Sequence, residues 1–518
     1  MAFASEAEFE NALINMLTSS CGWEPEVLRY KTEKELLQNW ANILFENNRS
    51  IDRLNDYPLT DGEMQQIIEQ INVLRTPLKL NGFINGRSVS ITRDNPDDKE
   101  HFGKEISLKI YDRQEIAAGQ SRYQIAQQPK YAAKTNMLST RRGDFILLIN
   151  GMPLIHVELK KSGIPVSQAY NQIEKYSHEG VFTGLFSLVQ VFVAMNPEET
   201  VYFANPGPDG RFNTDFYFHW ADFNNERIND WKVLASTLLS IPMAHQLIGF
   251  YTVADDTDGV LKVMRSYQYY AANKISDTVA KHQWENGSQM GGFIWHTTGS
   301  GKTMTSFKSA QLIANSKDAD KVIFLIDRIE LGTQSALEYR GFAEETDSIQ
   351  ETEDTSVLIA RLKSPDPANT LIVTSIQKMS NIKDDALGRL KKADLDVILK
   401  KRIVFIVDEC HRDTFGDMMQ TVKQTFPRAL FFGFSGTPIQ IENLKKGNTT
   451  SDVFGNELHR YSIADGIRDR NVLGFDPDKI LTFKEKDIRT AIALDKAKAS
   501  SVAEALGDAK KQKIFYKY

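Results

Sequence analysis

The chain has 518 residues, 41% of them apolar, and carries 62 basic against 68 acidic side chains for a net charge of −6. That length accommodates roughly two to four domains with cores of their own, and the charge excludes a uniformly basic nucleic-acid binder, leaving only local patches for such a partner. Two cysteines, Cys21 and Cys410, exclude a disulfide framework and suit a reducing, cytoplasmic setting. The start, Met1-Ala2-Phe3-Ala4-Ser5-Glu6, has neither the basic stretch nor the apolar core of a secretion signal. The densest apolar run, Leu185 to Met195, is broken by Ser187 and Gln190 and is too short to cross a bilayer; it reads as a buried strand.

In chain order, residues 1 to about 80 read as helical, with apolar spacing at Ile51, Leu54, Ile67, Ile68 and Ile71 and a turn signal at Asn81-Gly82. Strands dominate from there to about residue 225. Phe145 to Ile149, then Asn150-Gly151, then Leu154 to Leu159 predicts a hairpin. A helix is expected from about Ser167 to Ser177, and further strand from Val181 to Met195. The acidic, glycine-ended stretch Asp255 to Gly259 is placed as a boundary. Beyond it strands alternate with helices: Gly292 to Trp295, Val322 to Ile326, Leu371 to Val373, Ile403 to Val407 and Ala429 to Phe434 are strand candidates, each ending in a polar or glycine-rich segment. That alternation predicts a parallel sheet with sites at the C-terminal ends of its strands. Asn443 to Thr450 reads as a polar loop, residues 471 to 485 as the possible start of another sheet, and Ala491 to Lys511 as a helix.

Thr298-Gly299-Ser300-Gly301-Lys302-Thr303 has the composition of a phosphate loop. Gly299 and Gly301 let the backbone approach phosphates, Lys302 places an ammonium on their oxygens, and the Thr303 hydroxyl can ligate Mg²⁺. The strict pattern begins with glycine, and His296 stands there instead. About a hundred residues on, an apolar strand delivers Asp408-Glu409-Cys410-His411, with Asp408 for magnesium and Glu409 for the water that attacks the γ-phosphate. Alone, that acidic pair is equally the solvated end of a strand. Cys410 reads as a spacer, because nothing nearby in the sequence would activate it.

Asp144, Glu158 and Lys160 form the pattern Asp–x13–Glu–x–Lys. Phosphodiester hydrolysis needs carboxylates that hold divalent metal and a cation that stabilises developing charge. Glu158 and Lys160 are two apart on a strand and share a face, and Asp144 starts the partner strand nearly opposite Glu158, to within a residue of register. The spacing is not specific: Asp97-Asp98-Lys99 and Asp230-Trp231-Lys232 fit acid–x–Lys as well. In the bland alternative, Ile155, Val157 and Leu159 face inward while His156, Glu158 and Lys160 face solvent. Gln172 and Tyr176, four apart on the following helix, share a face and can reach one substrate backbone. His156 and His178 read as hydrogen-bonded or surface histidines before metal ligands. Arg141 and Arg142, beside Asp144, are placed against DNA phosphates. Lys391-Lys392 and Lys400-Lys401-Arg402 read first as a solvated face, and Phe216 to Trp220 as core before base-stacking surface.

The motif set resembles the first RecA-like lobe of superfamily-two helicases. Asp408 to His411 looks like a DExH box and Ser435-Gly436-Thr437 like the motif that couples hydrolysis to strand movement. Asp327-Arg328 and Thr374 to Lys378, with Thr374 and Gln377 in contact, look like segments that touch a nucleic-acid backbone, and Gln268 of Arg265-Ser266-Tyr267-Gln268 like the adenine reader. Asp144, Glu158, Lys160, Gln172 and Tyr176 resemble the PD-(D/E)xK nuclease domain of the RecB-like type. Nuclease first and motor second resembles the restriction subunit of type I restriction–modification enzymes. The resemblance implies an α/β chain: a nuclease domain over residues 1–255, a RecA-like lobe over 260–465, and at 466–518 the start of a truncated second lobe or a tail. It also implies ATP and Mg²⁺ as cofactors, double-stranded DNA as substrate, and methyltransferase and specificity subunits as partners. Such a complex pumps DNA with ATP and cuts unmethylated duplex far from its recognition site. No arginine-finger motif follows residue 440, so this stretch is expected to bind ATP but hydrolyse it poorly. A helicase or remodeller with a non-catalytic N-terminal docking domain, and a chain that only binds ATP and DNA, are the rival readings.

Overall fold

The computed structural model describes the chain except for residues 1, 51, 87, 114–120, 132–140, 257, 286, 327–354, 383–391, 409, 411–414, 441–448, 473–484 and 518, and the side chains of 141, 392, 415–417 and 485–488. It comprises two compact units, Met1–Val472 and Leu473–Tyr518.

The first unit opens with helix α1 (Glu6–Ser20), where the Ser5 side chain accepts from the Glu8 N–H, and the short strand β1 (Val27–Arg29). Helices α2 (Glu33–Asn47) and α3 (Asp61–Leu74) both start in capping boxes, Thr32 with Glu35 and Thr60 with Glu63. Each box satisfies two N–H groups that the first turn leaves without intrahelical partners. The turn expected at Asn81-Gly82 is instead the interior of helix α4 (Pro77–Asn85). Thr76 as cap and Pro77 in the first turn start that helix, and a buried Asn81 amide donates to Gln190 Oε1 and Thr252 Oγ1. Tertiary hydrogen bonds thus outweigh the local turn preference.

Strands β2 (Ser88–Thr92) and β3 (Glu105–Lys109) pair separately, as do β5 (Lys130–Tyr131) and β6 (Arg141–Arg142). The main N-terminal sheet takes β4 (Tyr123–Gln127), β7 (Phe145–Ile149), β8 (Met152–Leu159), β9 (Val191–Asn196) and β10 (Glu199–Ala204), in the order β1-β4-β7-β8-β9-β10. Between β8 and β9 runs helix α5 (Ser167–His178). Residues Gly184–Leu188 form a 3-10 turn, so the expected strand from Val181 is confined to β9. The β7–β8 hairpin turns on Asn150 and Gly151 alone, both at positive φ (51° and 85°), the conformation a two-residue hairpin loop requires.

Helices α6 (Trp231–Thr237) and α7 (Met243–Gly249) follow, and then a hairpin of β11 (Thr252–Asp255) and β12 (Val260–Val263) whose connection holds the acidic stretch. After α8 (Ser266–Ala280) comes a six-stranded parallel sheet: β13 (Met290–His296), β14 (Lys321–Ile326), β15 (Leu371–Ser375), β16 (Ile403–Val407), β17 (Leu430–Ser435) and β18 (Glu457–Tyr461). Helix α9 (Lys302–Ser316) follows β13. The order is β15-β14-β16-β17-β13-β18, so β17 lies between the strands that lead to the phosphate loop and to Asp408.

Alternate residues of this sheet enter different cores. Ile294, Phe324, Ile406 and Phe432 join a cluster continuous with the N-terminal sheet, while Phe293, Leu325, Phe405 and Phe431 pack under the helices on the other face. In the second unit the single helix expected over Ala491–Lys511 is three: Glu485–Ala497, Val502–Gly507 and Ala509–Phe515, broken where Ser501 and Asp508 cap new N-termini.

Candidate functional site

The N-terminal site is built on the β7–β8 hairpin. Phe145 pairs with Val157, which sets Asp144 across from Glu158, one step beyond the ladder. The Leu159 N–H donates to Asp144 Oδ2 at 2.6 Å and so fixes that carboxylate against β8. β8 is an inner strand with β7 and β9 on its flanks, and every residue of it is buried. The solvent-facing alternative for His156, Glu158 and Lys160 is therefore excluded: their exposures are 0%, 1% and 7%.

Burial dominates the electrostatics. It pushes the Glu158 carboxyl up from 4.5 to about 8, against the pull of Lys160. Asp144 is raised well above the usual carboxylate range by burial and by the neighbouring Glu158. Lys160 Nζ stands 4.0 Å from Glu158 Oε1 and 3.5 Å from Glu6 Oε1, and donates to the Leu159 carbonyl at 2.7 Å. His156 is held neutral, pushed down to about 3 by burial. Its Nδ1 faces the Tyr131 hydroxyl at 3.2 Å and its Nε2 faces Glu158 Oε2 at 3.2 Å. Gly143 is required here by close approach, since a Cβ would lie 2.6 Å from His156 Cε1 and 2.8 Å from Tyr131 Oη.

Gln172 and Tyr176 are brought to the same place. Gln172 Nε2 donates to the Tyr176 hydroxyl at 2.6 Å, and that hydroxyl donates to the Arg142 carbonyl at 2.8 Å, two residues before Asp144. The pair thus grips the backbone that carries the carboxylate. Among the described residues no group of three or more His, Cys, Asp or Glu side chains gathers as a metal-binding cluster. Two adjoining carboxyls that both resist ionisation nevertheless fit a divalent cation, whose charge would relieve the penalty raising them. Asp144 and Glu158 are the residues that would hold it.

The second site lies at the C-terminal ends of β13, β16 and β17. Gly299 and Gly301 have positive φ (81° and 76°), and Gly301 leads into α9 with Lys302 as its first residue. The loop is braced from beneath: the Tyr267 hydroxyl donates to the Ser300 carbonyl at 2.7 Å, and Gln268 Nε2 reaches the Ser300 and Gly301 carbonyls at 3.4 and 3.3 Å. Gln268 Oε1 accepts from the Arg265 N–H at 2.9 Å. Around Gly436, a Cβ would meet Lys302 Nζ and Thr298 Oγ1 at 3.2 Å each, which places the Ser435-Gly436-Thr437 motif against the phosphate loop. Asp408 is buried at the end of β16, the second strand from β13.

Two families match this chain: "Type I restriction enzyme R protein N terminus" over residues 3–211 and "SWI2/SNF2 ATPase" over residues 267–512. The endonuclease subunit of a type I restriction enzyme from Staphylococcus aureus strain COL is 37% identical over 509 residues, covering 98% of this chain and 50% of the relative. A Staphylococcus saprophyticus counterpart is 38% identical over 491 residues, 95% of this chain and 49% of its own length. The chain is a homologue of type I restriction enzyme endonuclease subunits. The Escherichia coli EcoprrI endonuclease subunit is 33% identical over 175 residues, covering 33% of this chain and 54% of that one. The chain spans about half the length of the first curated relatives it matches.

In this restriction-subunit homologue the remaining predicted residues fall as follows. Thr298, Ser300 and Thr303 lie on the phosphate loop and at the start of α9, Thr374 is buried near the end of β15, and Gln377 is exposed just beyond it. Arg142 is exposed, its guanidinium 5.8 Å from the Tyr30 ring centroid, and Arg141 precedes it on β6. Asp327, Arg328 and Glu409 lie outside the described residues. Lys401 donates to the Lys363 and Ser364 carbonyls and Arg402 pairs with Asp320 at 2.8 Å, so both are structural. Tyr217 stacks on Phe203 at 3.9 Å and Trp220 is buried, as the core reading of that aromatic run has it, whereas Phe216 is exposed. His178 is exposed beside Glu174.

Glu10 also faces this site. It projects from α1, is buried, and takes one hydrogen bond from Gln128 Nε2 at 3.0 Å, while its Oε1 has no partner. Its charge adds to the upward push on both Asp144 and Glu158. An acidic residue on an amphipathic first helix gives no sign in sequence that it faces inward.

Proposed function

We propose that this chain is the nuclease and first motor portion of an ATP-driven restriction subunit that moves along duplex DNA and cuts it when it is unmethylated, away from the recognition site. Domains over 1–255, 260–465 and 466–518 go with that reading, the last as the start of a second lobe or a tail. The observation that carries it is the meeting of Asp144 and Glu158 across one hairpin with Lys160 just past the end of β8, Glu158 and Lys160 buried and Asp144 half-buried. The docking-domain rival calls for those carboxylates in solvent.

A divalent cation such as Mg²⁺ at Asp144 and Glu158 supplies charge to activate water and to neutralise the scissile phosphate. The chain's own groups do the rest. Lys160 is placed to stabilise negative charge on the attacked phosphate, and His156 keeps Glu158 oriented through its Nε2 contact. Tyr176 and Gln172 hold the Arg142–Asp144 backbone, and Arg141 and Arg142 face the DNA phosphates. In the motor, Gly299 to Thr303 cradle the phosphates, Lys302 meets the β/γ oxygens, Gln268 reads adenine, and Asp408 with Thr303 would hold the nucleotide's Mg²⁺. Glu409 orients the water; Asp327, Arg328, Thr374 and Gln377 follow the DNA backbone. The partners are methyltransferase and specificity subunits, in the cytoplasm. Among the described residues no helix is long and apolar enough to cross a membrane.

The test is plasmid cleavage by the full-length subunit with its assembly partners, ATP and Mg²⁺. Lys160→Ala is expected to abolish cutting while ATP turnover persists. Equal cutting by the wild type and the variant would remove the nuclease assignment.

A further inference from the structure

His296 occupies the first position of the phosphate loop, where the strict motif has glycine, and it is fully buried. Its Nε2 lies 3.0 Å from Nδ1 of His459 on β18, a strand that pairs directly with β13. His459 is buried too, and its Nε2 lies 3.1 Å from the carbonyl oxygen of Phe223. A carbonyl only accepts, so His459 must carry its proton on Nε2. Its Nδ1 is then an acceptor, which makes His296 the donor through its own Nε2–H. The chain of bonds therefore has one direction, from His296 to His459 to Phe223. Burial holds both rings in the neutral form this polarity needs.

Phe223 belongs to a turn that comes before the motor lobe in the chain and is tied to the N-terminal sheet. Phe218, five residues earlier, exchanges two 2.9 Å backbone hydrogen bonds with Tyr202 of β10. The same turn clasps β18 and the helix after it. Asn225 Nδ2 donates to the Arg460 carbonyl at 2.8 Å, Arg468 Nη2 donates to the Asn225 carbonyl at 2.6 Å, and Arg227 pairs with Asp469 at 3.4 Å. A second route leads from β18 to the loop. The Thr297 N–H donates to the Tyr461 carbonyl at 2.9 Å, and the Tyr461 ring stacks at 3.7 Å on Tyr267, which holds Ser300.

We propose that His459 is a positioning residue for nucleotide binding: it fixes the phosphate loop through His296 and anchors it to the turn at Phe223, so that the N-terminal sheet sets the shape of the nucleotide site. The proposal rests on the phosphate-loop reading given above. Neither histidine touches nucleotide in this account. His459 acts by holding the ring that begins the loop.

The experiment compares His459→Leu, His459→Gln and Lys302→Ala in this chain, with a fluorescent ATP analogue as the probe and selective ¹⁵N-histidine spectra of the wild type. His459→Leu keeps the bulk and removes both polar contacts, so affinity should fall about tenfold. His459→Gln keeps a donor and an acceptor and should bind within about threefold of wild type. Wild-type spectra should show His296 and His459 both protonated on Nε2, a signature that bulk packing does not set. Wild-type affinity in His459→Leu, equal losses in His459→Leu and His459→Gln, or a His459 protonated on Nδ1 overturns the proposal. If Lys302→Ala binds as wild type does, the phosphate-loop reading itself is wrong and the proposal goes with it.

Discussion

Replacing Glu158 with glutamine should stabilise the metal-free protein at alkaline pH while it destroys the nuclease site. Burial raises this carboxyl from 4.5 to about 8, and a displacement of that size corresponds to roughly 5 kcal/mol of penalty on the ionised form. The sign follows from linkage. A carboxyl raised by folding contributes stability that is complete below the ordinary carboxylate range and is lost as pH rises through about 8. Asp144 is displaced in the same direction and adds to the loss. Glutamine keeps the shape and the hydrogen-bonding capacity toward His156 but cannot ionise. Lys160 loses a partner, which offsets part of the gain, so a net stabilisation of about 1–3 kcal/mol near pH 9 is expected. The assay is denaturant unfolding in a chelator near pH 6 and near pH 9, with amide exchange along β8 as the local readout. Wild type should lose stability between the two conditions, the variant much less, and added Mg²⁺ should restore the wild type alone. A variant as unstable as wild type near pH 9, or a wild type indifferent to pH across this range, would refute the reasoning.

Two further outcomes follow from the geometry. Lys302→Ala removes the ammonium that stands beside Gly436 in the phosphate loop; affinity for a fluorescent ATP analogue should drop roughly 30-fold or more, with unchanged circular dichroism. Arg93 is fully buried between Glu63 at 2.6 Å and Asp98 at 3.0 Å, so Arg93→Ala strands two carboxylates and should cost about 3–5 kcal/mol in denaturant unfolding.

Among the decoys of the acid–x–Lys pattern, Asp97 and Lys99 are both exposed. Asp98, the residue between them, turns inward to Arg93 and His101, and Asp230 caps α6 by accepting from the Lys232 and Val233 N–H groups. Sequence spacing could not separate these from Glu158, because the distinction lies in what each carboxylate faces. The hairpin was legible because Asn150-Gly151 admits few backbone shapes, and all five strands read in the parallel sheet appear because long apolar runs with polar ends have few alternatives. β18 was missed: Glu457-Leu458-His459-Arg460-Tyr461 is too polar to read as strand, and it is held as an edge beside β13 by tertiary pairing. His459 and Glu10 went unread for the same reason. Their partners are some 160 and 120 residues distant in the chain, beyond any local pattern.

Crystals of this chain soaked in Mn²⁺ and examined by anomalous scattering provide the most direct measurement of whether the hairpin is a metal-dependent cutting site. A peak between the Asp144 and Glu158 carboxylates, lost in Glu158→Gln, is the result predicted. Manganese bound beside Asp408 with nothing at the hairpin would contradict it.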